Sequence, residues 1–299
     1  MTAGHKIKGL GAEDVSEVHA SFIFLMEALY CLKGFNMQPF FNKKPFYFAC
    51  FILVCVLSFN SQSLFAANLA PNNAWYIGAG GGISWIHLSD NTTVPNGMPV
   101  SAPYNQDLFS IQTIKDANVQ IIAGYRWKNN TTYFPYTNVF FQYRSYINND
   151  ISGEIEQFSL PQFTNYNYQM KYSADLLTLN GKFDILEYHK IMPYFSAGAG
   201  VIINSLYDYT ESPTANVTPR ISPGYTTNNF SHLAVIVGAG IDYILTENYW
   251  LTLGYDHVFQ GTLTSGPGVS TWSGSVLHFG NAKMDTVFVN FTMNLPTLS

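Results

Sequence analysis

Between residue 75 and the C-terminus one unit recurs eight times: roughly ten residues that alternate apolar and polar, then a turn rich in Gly, Asn, Pro and Thr. Successive side chains of a strand face opposite sides, so each unit predicts a strand with one apolar and one polar face. In every unit the apolar face falls on odd numbers. The first sets Trp75, Ile77, Ala79, Ile83 and Trp85 against Tyr76, Gly78, Gly80, Gly82 and Ser84, and the second sets Val119, Ile121, Ala123, Tyr125 and Trp127 against Gln120, Gly124 and Arg126. Val139, Phe141 and Tyr143 oppose Gln142 and Arg144; Leu177, Leu179, Phe183 and Ile185 oppose Thr178, Asn180, Lys182 and Asp184. The same holds around Phe195 to Ile203, Leu233 to Tyr243, Leu251 to Phe259 and Val287 to Met293. The expected fold is all-β, an eight-stranded antiparallel up-and-down transmembrane β-barrel.

A soluble sandwich or barrel also alternates, but its large apolar residues line the inside. Here the polar face carries small residues and charges of both signs, as a narrow lumen would, and the apolar face is large and aromatic, as a wall against lipid would be. The segment ahead of the strands agrees. Lys43 and Lys44 precede the apolar run Pro45 to Phe59, followed by small residues from Ser61 to Ala67, which reads as a signal peptide over 37–67 cut near Ala66 or Ala67. Residues 1–36 contain Glu13, Asp14, Glu17 and Glu27, acidic content foreign to a signal n-region, so Met37 is the expected start and 1–36 a mis-assigned extension. Peptides from residues 2–36 in the intact precursor would contradict that. Cys31, Cys50 and Cys55 all precede the cut, leaving the barrel domain, 70–295, without disulfide, thiolate metal site or cysteine nucleophile. Nine of the 14 basic and fifteen of the 19 acidic residues follow the leader, a net charge of −6 that excludes nucleic acid as a partner.

Beyond the leader no run approaches the ~20 apolar residues of a spanning helix, whereas a spanning strand needs about half that number and alternates. A chain that is 16% aromatic and 11% charged suits an apolar wall with aromatic girdles. One girdle is expected at Trp75, Trp127, Tyr133, Tyr136, Tyr188, Tyr194, Tyr243, Tyr249 and Trp250, the other at Trp85, Tyr146, Tyr207 and Phe259. Short links at Lys128 to Tyr136, Glu187 to Ile191 and Thr246 to Tyr249 read as periplasmic turns. Long ones, about Ser89 to Ala117, Asn148 to Asn167, Tyr209 to Asn228 and Thr264 to Ala282, read as four extracellular loops, Pro-rich and irregular.

Several segments resemble a family: Trp75-Tyr76-Ile77-Gly78-Ala79-Gly80-Gly81-Gly82, Gly124-Tyr125-Arg126-Trp127, Ala197-Gly198-Ala199-Gly200-Val201, and Gly238-Ala239-Gly240-Ile241-Asp242-Tyr243 followed by Leu253-Gly254-Tyr255. Over residues 70–295 the chain resembles the eight-stranded outer-membrane β-barrels of the OmpA and opacity-protein type of Gram-negative bacteria. Relatives usually end on an aromatic residue, whereas here Phe291 and Leu295 precede Pro296-Thr297-Leu298-Ser299. The resemblance implies the outer membrane as location. It implies outer-membrane lipid or lipopolysaccharide and the barrel assembly machinery as partners, with host or surface ligands reached through the loops. The role implied is that of a non-enzymatic surface antigen, envelope protein or adhesin-like protein; a narrow channel for small or apolar solutes and a lipid-modifying enzyme are the alternatives.

Eight strands leave an interior just wide enough for side chains to fill. The polar face puts Arg126, Arg144, Lys182, Asp184, Asp242 and Asp256 into that space, and a buried charge without a partner is expensive. A paired network plugging the lumen is expected, with a gated ion path as its competitor. Catalysis would need a convergent nucleophile and base. The histidine candidates are Ser231-His232, Asp256-His257, His87 and His278. By parity His87 and His257 point to lipid, away from lumen or loop acids, and Asp256 and His257 face opposite sides of the wall. No nucleotide, metal or haem motif appears; the glycines of the first unit lie inside a strand with no following helix and fit close strand packing instead. No cofactor and no catalytic residue are expected.

Overall fold

The computed structural model describes residues 73–88, 91–129 and 131–295. The extension 1–36, the signal peptide 37–67 with its three cysteines, and the tail 296–299 lie outside these residues. Eight long strands form the wall: β1 (Asn73–His87), β4 (Ile114–Lys128), β5 (Tyr136–Glu156), β6 (Thr164–Asp184), β7 (Ile191–Pro213), β9 (Asn228–Thr246), β10 (Tyr249–Thr264) and β12 (His278–Asn294). Each pairs antiparallel with the next in chain order, and β1 pairs with β12 from Tyr76↔Asn294 to His87↔Lys283, so the sheet closes on itself. The long links add β2 (Asn91–Pro95), β3 (Gln106–Ser110), β8 (Gly224–Tyr225) and β11 (Gly268–Val269).

At the short-turn half the odd-numbered side chains face outward. Trp75, Phe141, Leu177, Ile203, Leu233 and Leu253 are more than half exposed, while even-numbered Gln120, Arg126, Asn138, Thr178, Asp184, Asp242 and Thr292 are buried inside. Trp75 and Trp85 on β1 stand ten residues apart, ~33 Å along the strand and ~25 Å after a barrel strand's tilt, the height of a bilayer-facing apolar band. Three positions expected in the girdles at this end, Tyr136, Tyr194 and Trp250, are instead buried in the lumen, as is Tyr146 at the other end. Their even numbers require it. The lumen is therefore more aromatic than its polar pattern implies.

The four long links are not irregular loops. β5 runs on to Glu156 and β6 begins at Thr164, joined by two tight 3₁₀ turns, so most of the stretch from Asn148 to Asn167 is strand; β7 likewise continues to Pro213. β2 and β3 form a hairpin whose second strand adds to β5, and β8 pairs with β11. Beneath these elements lies one apolar core that includes Ile86, Phe109, Ile151, Met170, Trp272 and Phe279, all essentially without solvent contact. Each large apolar side chain buried there contributes roughly 1.5–3 kcal/mol.

Two devices turn a wall that is polar inside into one that is apolar inside. On β6 the residue types simply exchange. Below, Leu177, Leu179 and Phe183 face out with Thr178, Asn180 and Lys182 inside; above, Tyr168, Met170, Tyr172 and Leu176 face in with Lys171, Ser173 and Asp175 outside. On β5, β7, β10 and β12 an extra residue is inserted, between Tyr146 and Asn149, at Asp208 (φ 53°), between Phe259 and Thr262, and at Gly280 (φ 72°). Each such bulge shifts side-chain parity by one. Beyond them the odd-numbered Ile151, Ile155, Tyr209, Leu263 and Phe279 are the buried ones.

Candidate functional site: a filled lumen beneath a latched cap

The six charged residues expected in the lumen all lie inside the barrel. Four form one neutral cluster at the short-turn end, drawn from β4, β6 and β9. The Arg126 guanidinium stands 3.2 Å from Asp184 and 3.6 Å from Asp242, and Lys182 Nζ donates to Asp242 and lies 4.0 Å from Asp184. Thr252 Oγ1 donates to Asp242 at 2.7 Å, and Asn138 donates to Asp184 at 3.3 Å while accepting from Arg126 Nε at 3.2 Å. Aromatic rings close the cluster: Arg126 lies 4.5 Å over Tyr136 and 4.2 Å over Trp250, and Lys182 4.2 Å over Tyr194. A desolvated cation over a ring face is worth roughly 2 kcal/mol.

The other two, Arg144 on β5 and Asp256 on β10, pair directly across the lumen. Arg144 Nε also donates to Gln120 at 2.8 Å, which accepts from Gln142 at 2.7 Å and itself donates to Asn290 at 2.7 Å, a belt crossing from β5 to β12. Room for these side chains comes from glycine on the facing strands: a Cβ at Gly238 would sit 2.2 Å from Asp256 Oδ1, and one at Gly80 only 2.0 Å from Asn290 Oδ1. Between cluster and belt the cavity flanked by Tyr76, Phe140, Lys182 and Phe288 measures about 30 Å³, space for a water or two.

A third group, which the sequence pattern did not single out, closes the mouth. Arg220, in the link between β7 and β8, donates to Asp107 of β3 at 2.7 Å, stands 3.8 Å from Glu211 at the end of β7, and stacks 4.3 Å over Tyr166 of β6 and 4.5 Å over Trp272 of the last link. Trp272 Nε1 donates to Glu211 at 2.6 Å, Tyr209 donates to the same oxygen, and Asp107 accepts the Phe158 backbone N–H at 3.0 Å. All four long links thus meet at one guanidinium. Burial raises the Tyr168, Tyr209 and Tyr225 hydroxyls above the ordinary tyrosine range, and Glu211 pushes Tyr209 further in the same direction. Only the Pro- and Thr-rich setting of Arg220 is visible in the sequence; its partner Asp107 lies 113 residues away.

The histidines do not assemble a catalytic set. His232 hydrogen-bonds the Thr262 carbonyl at 3.0 Å, and His278 is exposed at the start of β12. His87 and His257 do face outward, yet both find an acid: Asp285 of β12, also odd-numbered, lies 2.9 Å from His87 Nε2 and 2.7 Å from His257 Nδ1. The acid they meet lies on the wall's outward face, neither in the lumen nor in a loop, because three adjacent strands place the three side chains in neighbouring rows of that face. Asp256 stays inside with Arg144. Among the described residues no three His, Cys, Asp or Glu form a metal-holding group.

No protein-family profile matches the chain, and no curated protein matches it. Solved structures do. Neisserial surface protein A is 12% identical, with 75% of this chain and 100% of that one covered and a TM-score of 0.42. OprG, an outer-membrane protein of Pseudomonas aeruginosa, is 12% identical over 76% of this chain and 99% of its own, TM-score 0.42. The outer-membrane protein AlkL is 12% identical over 80% and 98%, TM-score 0.40.

Proposed function

We propose that this chain is a non-enzymatic integral protein of a Gram-negative outer membrane, its lumen closed to ions, its cap a rigid contact surface facing outward in a surface-antigen or adhesin-like role. The apolar band spans the bilayer, the short turns lie in the periplasm and the latched end stands outside. The observation that carries the reading is the meeting of the four long links at Arg220, which favours a fixed surface over a mobile gate. Two neutral charge groups and an apolar core in series along one narrow bore support a closed lumen. A channel for small or apolar solutes would need both to part.

Two measurements on the full chain from washed outer membranes test this. Gel mobility should change on boiling in detergent, as for a closed barrel, and planar bilayers should carry no steady current of a porin's size. A steady conductance would refute the closed lumen. For the cap, whole cells carrying Arg220→Ala should lose adherence or cell–cell aggregation while retaining the boiling-dependent shift. Unchanged adherence would remove the contact role.

A further inference from the structure

At the rim of the apolar band, on the cap side, the outward face is electrically lopsided. On β4, β1, β12 and β10 the rows just above Ala117, Ile83, Val287 and Tyr255 carry Lys115, His87, Lys283 and His257 around a single carboxylate, Asp285. Register sets Lys115 beside Trp85, Trp85 beside Asp285 and Asp285 beside His257, with His87 and Lys283 paired in the next row. Asp285 accepts from His87 at 2.9 Å, from His257 at 2.7 Å and from the Tyr255 hydroxyl, so its charge is spent on fixing two imidazoles. Lys283 and His87 remain exposed. Across the barrel, on β5, β6 and β7, the outward face holds Asp150, Asp175, Lys171 and Asp208, three carboxylates to one cation.

We propose that the β4–β1–β12–β10 rim binds the phosphate monoester headgroup of an outer-leaflet lipid, with Lys283 as its direct contact and Lys115 flanking. This deepens the membrane reading above and rests on it, since only a bilayer around the band brings headgroups to this height. A compact, multiply charged anion is what two lysines on one flat face, Lys283 and Lys115, can share. The apolar residues directly below accept the acyl chains of the same molecule, which a free anion does not use.

The test inserts the full chain into phosphatidylcholine vesicles doped with bisphosphorylated lipid A, extracts it in mild detergent, and counts retained lipid by native mass spectrometry. Lipid A should be enriched over phosphatidylcholine. Lys283→Ala should lower that enrichment about five-fold, the effect of one surface cation on an anionic lipid, and Lys283→Arg should retain it. Lys171→Ala, on the opposite rim, should leave it unchanged. Each variant is scored only with its boiling-dependent mobility shift intact, and Lys283→Gln serves if the alanine variant fails that check. Equal loss in Lys171→Ala, no loss in any variant, or enrichment of dephosphorylated lipid A to the same level would overturn the site. Displacement by inorganic phosphate at matching concentration would reassign it to free phosphate and overturn the lipid assignment. A chain that never enters the vesicles would remove the membrane reading, and the site with it.

Discussion

Arg144 is fully enclosed and its one ion pair is with Asp256, so that pair is a sensitive point in the lumen. Replacing Asp256 with Ala would leave a buried guanidinium without its carboxylate, a loss of about 3–5 kcal/mol. The boiling-dependent mobility shift should then occur at markedly lower temperature, whereas Arg144→Met with Asp256→Leu, which removes both charges, should recover most of the difference. The cap tyrosines make a pH statement. Tyr168, Tyr209 and Tyr225 hold their protons more tightly folded than unfolded, so their contribution is complete below the unfolded value of about 10 and is lost as pH rises toward the folded values. Alkaline titration followed by tyrosinate absorbance should show these three ionising late, together with loss of cap structure. Early, independent ionisation would contradict their burial. At this scale the lumen set was readable, because parity alone sends Arg126, Arg144, Lys182, Asp184, Asp242 and Asp256 to one side. Arg220, Asp107 and Glu211 were not, since no local period connects a residue in a Pro-rich link to partners on other strands.

Among the elements, the strands of the apolar band were legible and their continuations were not, and β5 and β6 show why. A single rule, odd residues apolar, stops applying on β6 at Leu176 and Leu177, where two adjacent leucines mark the exchange of faces, and on β5 at the bulge after Tyr146. An expected loop from Asn148 to Asn167 follows from holding one parity too long. The bulges are themselves testable. Inserting one glycine after Gly261, which adds a second residue to the register shift on β10, should swing Leu263 from the core to the surface and Thr262 inward. Limited proteolysis should then cut the cap while the band stays resistant; a cap as resistant as before would show that the wall absorbs the slip elsewhere. The histidine pair carries the same lesson at short range, because its acid, Asp285, lies on another strand of the same outward row.

Taken together, the described residues form a tube with two opposite amphiphilicities stacked end to end, apolar outside and polar inside within the band, the reverse in the cap. The two plugs should act independently: Arg220→Ala with Trp272→Ala opens the mouth but leaves Arg126, Lys182, Asp184 and Asp242 in place, so bilayer recordings of this double variant should still show no steady current. A current would mean that the cap alone holds the bore shut. The seam between β1 and β12 has a consequence for how the chain is made. Its two halves, at residues 73–87 and 278–294, are the first and last strands of the meander. Until the final strand arrives, the growing sheet has two open edges, each a row of unpaired amide groups ready to pair with a neighbouring chain. Contacts so far apart in sequence also form slowly. The time during which a newly made copy is vulnerable to aggregation is therefore set by delivery of the seventeen residues of its last strand, and an escort that shields either edge until then would protect the entire product.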